Sequence, residues 1–121
     1  MMRNYQITRL NQVVIMSQDT EKSVRFYRDV LGLPQKESYD GMFFLEIGET
    51  TLMIHPTKEP VNPNNSIGIE FSVDNVNALV EKVKHEEIGK VVQEPVDREW
   101  GVREAIVKDP DGYEVWFTQK L

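Results

Sequence analysis

One strand, one helix and three strands are spelled out twice along this chain, with equivalent segments about 56 residues apart. In the first pass, residues 10–16 alternate as a strand, with Val13 and Ile15 on one face and Gln12, Val14 and Met16 on the other. Asp19 then stands as an N-cap before a helix carrying Val24, Tyr27 and Leu31 at helical spacing, and Gly32 stands where such a helix would end. Strands near residues 35–38, 42–47 and 50–55 complete the unit. The stretch "PTKEPVNPNN" breaks all periodicity and reads as a linker. The second pass has a strand over 66–73 and a helix capped by Asp74 or Asn75, with Val76, Leu79, Val80 and Val83 as its stripe and Gly89 as its end. Strands over 90–93, 102–108 and 113–118 follow, the last two joined by the turn Asp109-Pro110-Asp111-Gly112. The expected organisation is an α+β fold in one domain spanning residues 1–121. It holds two βαβββ modules, about 7–56 and 66–121, joined by a linker at 57–65.

The first and last strands of each unit share a division of labour. One face is apolar: Val13 and Ile15; Leu52 and Ile54; Ile67, Ile69, Phe71 and Val73; Tyr113, Val115 and Phe117. An amphipathic helix buries its stripe against such a face. The opposite face is mixed: Gln12, Val14 and Met16; Thr51, Met53 and His55; Gly68, Glu70 and Ser72; Glu114, Trp116 and Thr118. If the sheets curve, these strands line a concave surface with an apolar floor and a few polar groups, the usual makeup of a small-molecule site. Met16, Met53 and Trp116 favour that over a face turned to open water.

Composition excludes several classes. The formal charge of -6, with basic residues scattered singly, offers no nucleic-acid footprint. No apolar run approaches a membrane span, and the first ten residues lack the apolar middle of a secretion signal, so a cytoplasmic protein is expected. With no cysteine and only two histidines there is no disulfide framework and no thiolate chemistry. No serine sits in an elbow motif.

Three separated segments, "QVVIMSQDTEKSVRFYRDVLGL", "IGIEFSVDNVNALVEKV" and "WGVREAIVKDPDGYEVWF", together resemble the vicinal oxygen chelate superfamily of glyoxalases, bleomycin-resistance proteins and ring-cleaving dioxygenases. The resemblance covers nearly the whole chain. It implies paired βαβββ modules whose sheets form a cup with a helix packed on the outside of each, and a homodimer. In metal-dependent members, it further implies four inward side chains gripping a divalent cation. Those positions fall here on Gln12, Met53, Gly68 and Trp116. Only Gln12 keeps a plausible donor, because a thioether, a hydrogen and an indole cannot replace oxygen or imidazole around a hard cation.

Two functions follow. The first is a cleft protein that binds or sequesters a small planar or cationic molecule without a cofactor, using Gln12, Met53, His55, Glu70, Trp100, Glu114 and Trp116. Trp116 is then a stacking platform or a plug, and Trp100 a lid or rim. The second is a metal-dependent lyase, isomerase or dioxygenase with a relocated divalent site built on His55, Glu70 and Glu114. That set would resemble a non-haem iron or manganese triad. No catalytic residue is assigned, and neither nucleic acid nor membrane is an expected partner.

Overall fold

The computed structural model describes residues 3–63 and 66–121. Positions 1 and 2 of the expected domain and positions 64 and 65 of the expected linker lie outside the described residues. The chain runs β1 (Gln12–Ser17), α1 (Thr20–Val24) continuing into a π-helical turn (Arg25–Val30), β2 (Gln35–Tyr39), β3 (Met42–Ile47) and β4 (Thr50–Pro56). It then runs β5 (Ile69–Ser72), α2 (Val76–Glu86), β6 (Lys90–Arg98), β7 (Val102–Lys108) and β8 (Glu114–Lys120). Two four-stranded sheets result, ordered β1-β4-β3-β2 and β5-β8-β7-β6. In each, the outer pair β1–β4 or β5–β8 is parallel and the remaining pairs are antiparallel. The repeated pattern of the sequence is thus a repeated topology.

Several boundaries differ from the expected ones. β1 begins at Gln12 rather than residue 10, and β5 covers only Ile69–Ser72. β6 does not stop at Gln93: it continues to Arg98, carrying Pro95 through a register shift between Gln93 and Val96, where a missing ladder donor is tolerated. β8 starts one residue later than expected and runs on to Lys120. Asp19 caps α1, accepting from Lys22 N at 3.1 Å. Asn75, not Asp74, caps α2, accepting from Ala78 N at 3.0 Å. The left-handed residue ending α2 is Glu87 (φ 56°), not Gly89.

The first helical segment also departs from a 3.6 period. Leu31 N bonds to Phe26 O at 2.9 Å, five residues back, which is the π-helical spacing. The wider turn lets the neighbours Phe26 and Tyr27 both point into the core, edge to face with ring centroids 5.0 Å apart. The helical stripe read from the sequence included Tyr27 and missed Phe26.

The helix-covered faces of both sheets meet in a single core. Ile15, Val24, Phe26, Leu52 and Ile54 from the first half are buried together with Val80, Val83, Val107, Val115 and Phe117 from the second. Burying these apolar side chains contributes on the order of 2 kcal/mol each, the main term holding the halves together. Polar groups fix their register. Tyr27 Oη donates to Asp109 Oδ2 at 2.5 Å in a fully enclosed contact. Tyr113 Oη donates to Met16 O at 2.9 Å and accepts from Met16 N. Asp109 Oδ1 also accepts from the backbone N–H groups of Asp111 and Tyr113, both at 2.9 Å. The Asp-Pro-Asp-Gly turn, read from sequence only as a hairpin, is therefore also the seam between the halves. Burial pushes the Tyr27 phenol well above its ordinary range, with the Asp109 charge adding to the effect.

Candidate functional site

Because the helix-covered faces meet inside one core, strand alternation turns both mixed faces outward, away from it. On the first sheet the register sets Val14 opposite Met53 and Met16 opposite His55, with Phe44 on the other side of Met53. Gln12 is half-buried at the start of β1, opposite Thr51. On the second sheet Glu70 and Ile106 flank Trp116. A hollow of about 350 Å³ opens there, lined by Ser66, Ile67, Gly68, Glu70, Glu114 and Trp116. That volume lies at the small end of the range for ligand sites.

The expected site residues are therefore divided. Glu70, Glu114 and Trp116 come together with Gly68. Gln12, Met53 and His55 lie on the first sheet and do not line that hollow. Trp100 borders the adjoining hollow, with Ser72, Thr118 and Lys120. Trp100 is 66% exposed and its ring centroid lies 5.9 Å from the Arg98 guanidinium carbon, a cation–π contact. The hollow beside Trp116 is lined by residues of the second half alone.

Gly68 and Trp116 fit each other sterically. A Cβ added to Gly68 would lie 3.8 Å from Trp116 Nε1, so the indole stands beside the space a side chain at position 68 would enter. Two of the four positions that the resemblance assigns to metal ligands thus hold an indole against a bare backbone. Among the described residues no group of three or more His, Asp or Glu is arranged to hold a metal. The four positions that the resemblance assigns to metal ligands hold one side-chain oxygen, that of Gln12, with a thioether at Met53, no side chain at Gly68 and an indole at Trp116.

His55 is half-buried, and its Nδ1 lies 2.8 Å from Pro56 O. A carbonyl can only accept, so Nδ1 is the donor in this contact. The sequence reading overlooked charged residues of this face, Glu104 among them. Glu104, opposite Thr118 on β7, is only 7% exposed and accepts from Arg98 Nη2 at 3.1 Å. The alternation Val102, Glu104, Ile106 carried the signal, since a carboxylate between two apolar neighbours on one face needs a partner.

The class defined by two such modules with outward cleft faces is the glyoxalase type. The sequence profile of the Glyoxalase/Bleomycin resistance protein/Dioxygenase superfamily matches residues 9–117, and the chain belongs to that superfamily. It is similar to a lactoylglutathione lyase of Neisseria meningitidis serogroup A, 33% identical across 93% of this chain and 91% of that one. It is also similar to the mitochondrial methylmalonyl-CoA epimerase of Mus musculus, 30% identical over 74% of this chain, which spans 60% of the mouse protein. Among solved structures, a hypothetical protein from S. aureus superposes with a TM-score of 0.76 at 33% identity, covering 95% of this chain and 99% of the other. Among the described residues no helix is long and apolar enough to cross a membrane.

Proposed function

We propose that this chain binds a small planar or cationic molecule without a metal, in a cleft that two copies complete together. The observation that supports the reading is Trp116 beside Gly68, its Nε1 3.8 Å from where a Cβ at position 68 would lie, with an indole and a bare backbone at two positions where related metal sites would need donors. Glu70 and Glu114 on the hollow's walls favour a cation over an anion, since burying a like charge beside them is repulsive. A cation seated on the indole face gains on the order of 1 kcal/mol from the ring and more from nearby carboxylates.

The two-copy arrangement follows from what each copy leaves open. Val14 and Met16 on the first mixed face and Ile67, Val92 and Val96 in the second half are exposed apolar groups. β1 and β5 are edge strands. Joining the first face of one copy to the second face of another would cover those residues and bring Gln12, Met53 and His55 opposite Trp116. In sedimentation equilibrium the chain is expected to run at twice 14.1 kDa; a monomer at micromolar concentration would contradict this arrangement.

The ligand side is read with N-methylquinolinium, a planar cation that quenches indole emission. Saturable quenching is expected in the native protein and in Trp100→Phe, and its loss in Trp116→Phe. Equal titrations in all three would remove Trp116 from the site.

A second reading has its own support. Both curated relatives bear enzyme names, and His55 carries the backbone-anchored Nδ1 that typically orients a metal-binding imidazole. In that reading His55 of one copy and Glu70 and Glu114 of the other hold a divalent ion.

A further inference from the structure

The residues ahead of β1, 3–11, join neither sheet and carry three of the most exposed apolar side chains of the chain: Tyr5 at 72%, Ile7 at 86% and Leu10 at 67%. Large apolar groups left this open call for a partner surface. The same segment holds Arg3 and Arg9 and no acidic residue, in a chain of net charge -6. Among the described residues Arg9 meets only Asn11, at 3.3 Å, so its charge is not neutralised there. The hollow in the second sheet is the complement. Its lining contains Glu70 and Glu114 and no base, and its rim residue Ile67 is 74% exposed. Lys108 stands opposite Glu114 in register, whereas Glu70 stands opposite Trp116.

We propose that residues 3–11 form an arm that crosses to a second copy of this chain and lies along the rim of its hollow. Tyr5 and Ile7 would then lie against Ile67, with Arg3 or Arg9 facing Glu70. The proposal rests on the two-copy cleft, and continuity supports it: the arm leads directly into β1, so a copy that presents its first sheet to the hollow delivers its arm there as well. Reach is sufficient, because an extended arm of this length spans about 30 Å at roughly 3.3 Å per residue, whereas a four-stranded sheet is about 15 Å across. The arm makes the partner contribute a wall of the binding site, and it brings cations that compete with a positively charged ligand for Glu70.

The absence of cysteine makes the test clean. Ile7→Cys and Ile67→Cys, both at exposed positions, are made as separate single variants with different tags, coexpressed and mildly oxidised. The products are read by non-reducing electrophoresis and mass spectrometry, with sedimentation run in parallel. The expected result is a dimer in which the mixed 7–67 disulfide exceeds both self-pairings. A dimer without the mixed disulfide overturns the arm placement and leaves the shared cleft standing; a monomer overturns both. A bond formed within one chain of the Ile7→Cys/Ile67→Cys double variant, run below the dimer's dissociation constant and faster than between chains, also overturns the exchange.

Discussion

Gly89→Ala is expected to lower stability by about 3 kcal/mol, a drop in Tm of roughly 10 °C for a domain of this size. Two effects add. Gly89 has φ +83°, where a side chain carries a left-handed strain of about 1 kcal/mol or more. Its added Cβ would also lie 2.6 Å from Phe26 Cε1 and 2.8 Å from Lys108 O. Phe26 is fully buried and the carbonyl belongs to a strand, so neither can swing away cheaply. Gly32→Ala separates the two effects, because Gly32 has φ +84° and nothing within 4 Å of the new atom. It should cost only about 1 kcal/mol, and equal losses in the two variants in urea unfolding would show that Phe26 does not press on Gly89.

Asp109→Ala should cost about 4 kcal/mol. The carboxylate serves the Tyr27 hydroxyl and two backbone N–H groups, and its removal leaves a fully buried phenol without an acceptor. Tyr27→Phe should cost less, about 1–2 kcal/mol, because Asp109 keeps its two backbone donors. The double variant should fall short of the sum, the mark of a direct contact. The same pair sets an alkaline limit. The folded Tyr27 pKa lies above its ordinary 10.0, so its contribution is whole below pH 10 and is lost as the pH climbs toward the folded value. Stability should therefore fall above about pH 10 by up to about 1.4 kcal/mol per pH unit from this group, and Tyr27→Phe should flatten that decline in urea midpoints measured between about pH 9 and pH 11. Asp109 is also raised, with burial the leading cause, from an ordinary 3.8. Its contribution is present below that value and lost as the pH rises through the folded one, so it is not a source of acid unfolding.

The periodic parts of the fold were legible because alternation and helical spacing are local properties of the sequence. Met42–Ile47 and Val102–Lys108 came out with their bounds intact. The boundaries that moved are those set by partners distant in sequence. β8 runs on to Lys120 because β7 offers a partner as far as Val102, and β5 is held to four residues by the reach of its pairing with β8. The π-helical turn escaped because its extra residue appears only in the hydrogen bond from Leu31 to Phe26. In the site, the composition of each face could be read, but the relative direction of the two faces could not. The apolar stripes require only that each helix meets a sheet, and that requirement is silent on whether the covered faces of the two halves then meet each other. Glu104 was not legible because it lies on an inner strand of the module and its Arg98 partner comes from β6, an outer strand of the same sheet.

The question on which the functional account turns is whether a cation belongs in this cleft. It is answered most directly by the melting temperature of chelator-treated protein titrated with Ni²⁺, Mn²⁺, Zn²⁺ and Fe²⁺, because any ion that prefers the folded dimer must raise it. With an indole beside Gly68 and a thioether at Met53, no saturable rise is expected with any of the four. A saturable rise of several degrees that His55→Ala abolishes would place the ion at His55, Glu70 and Glu114 and contradict the metal-free reading.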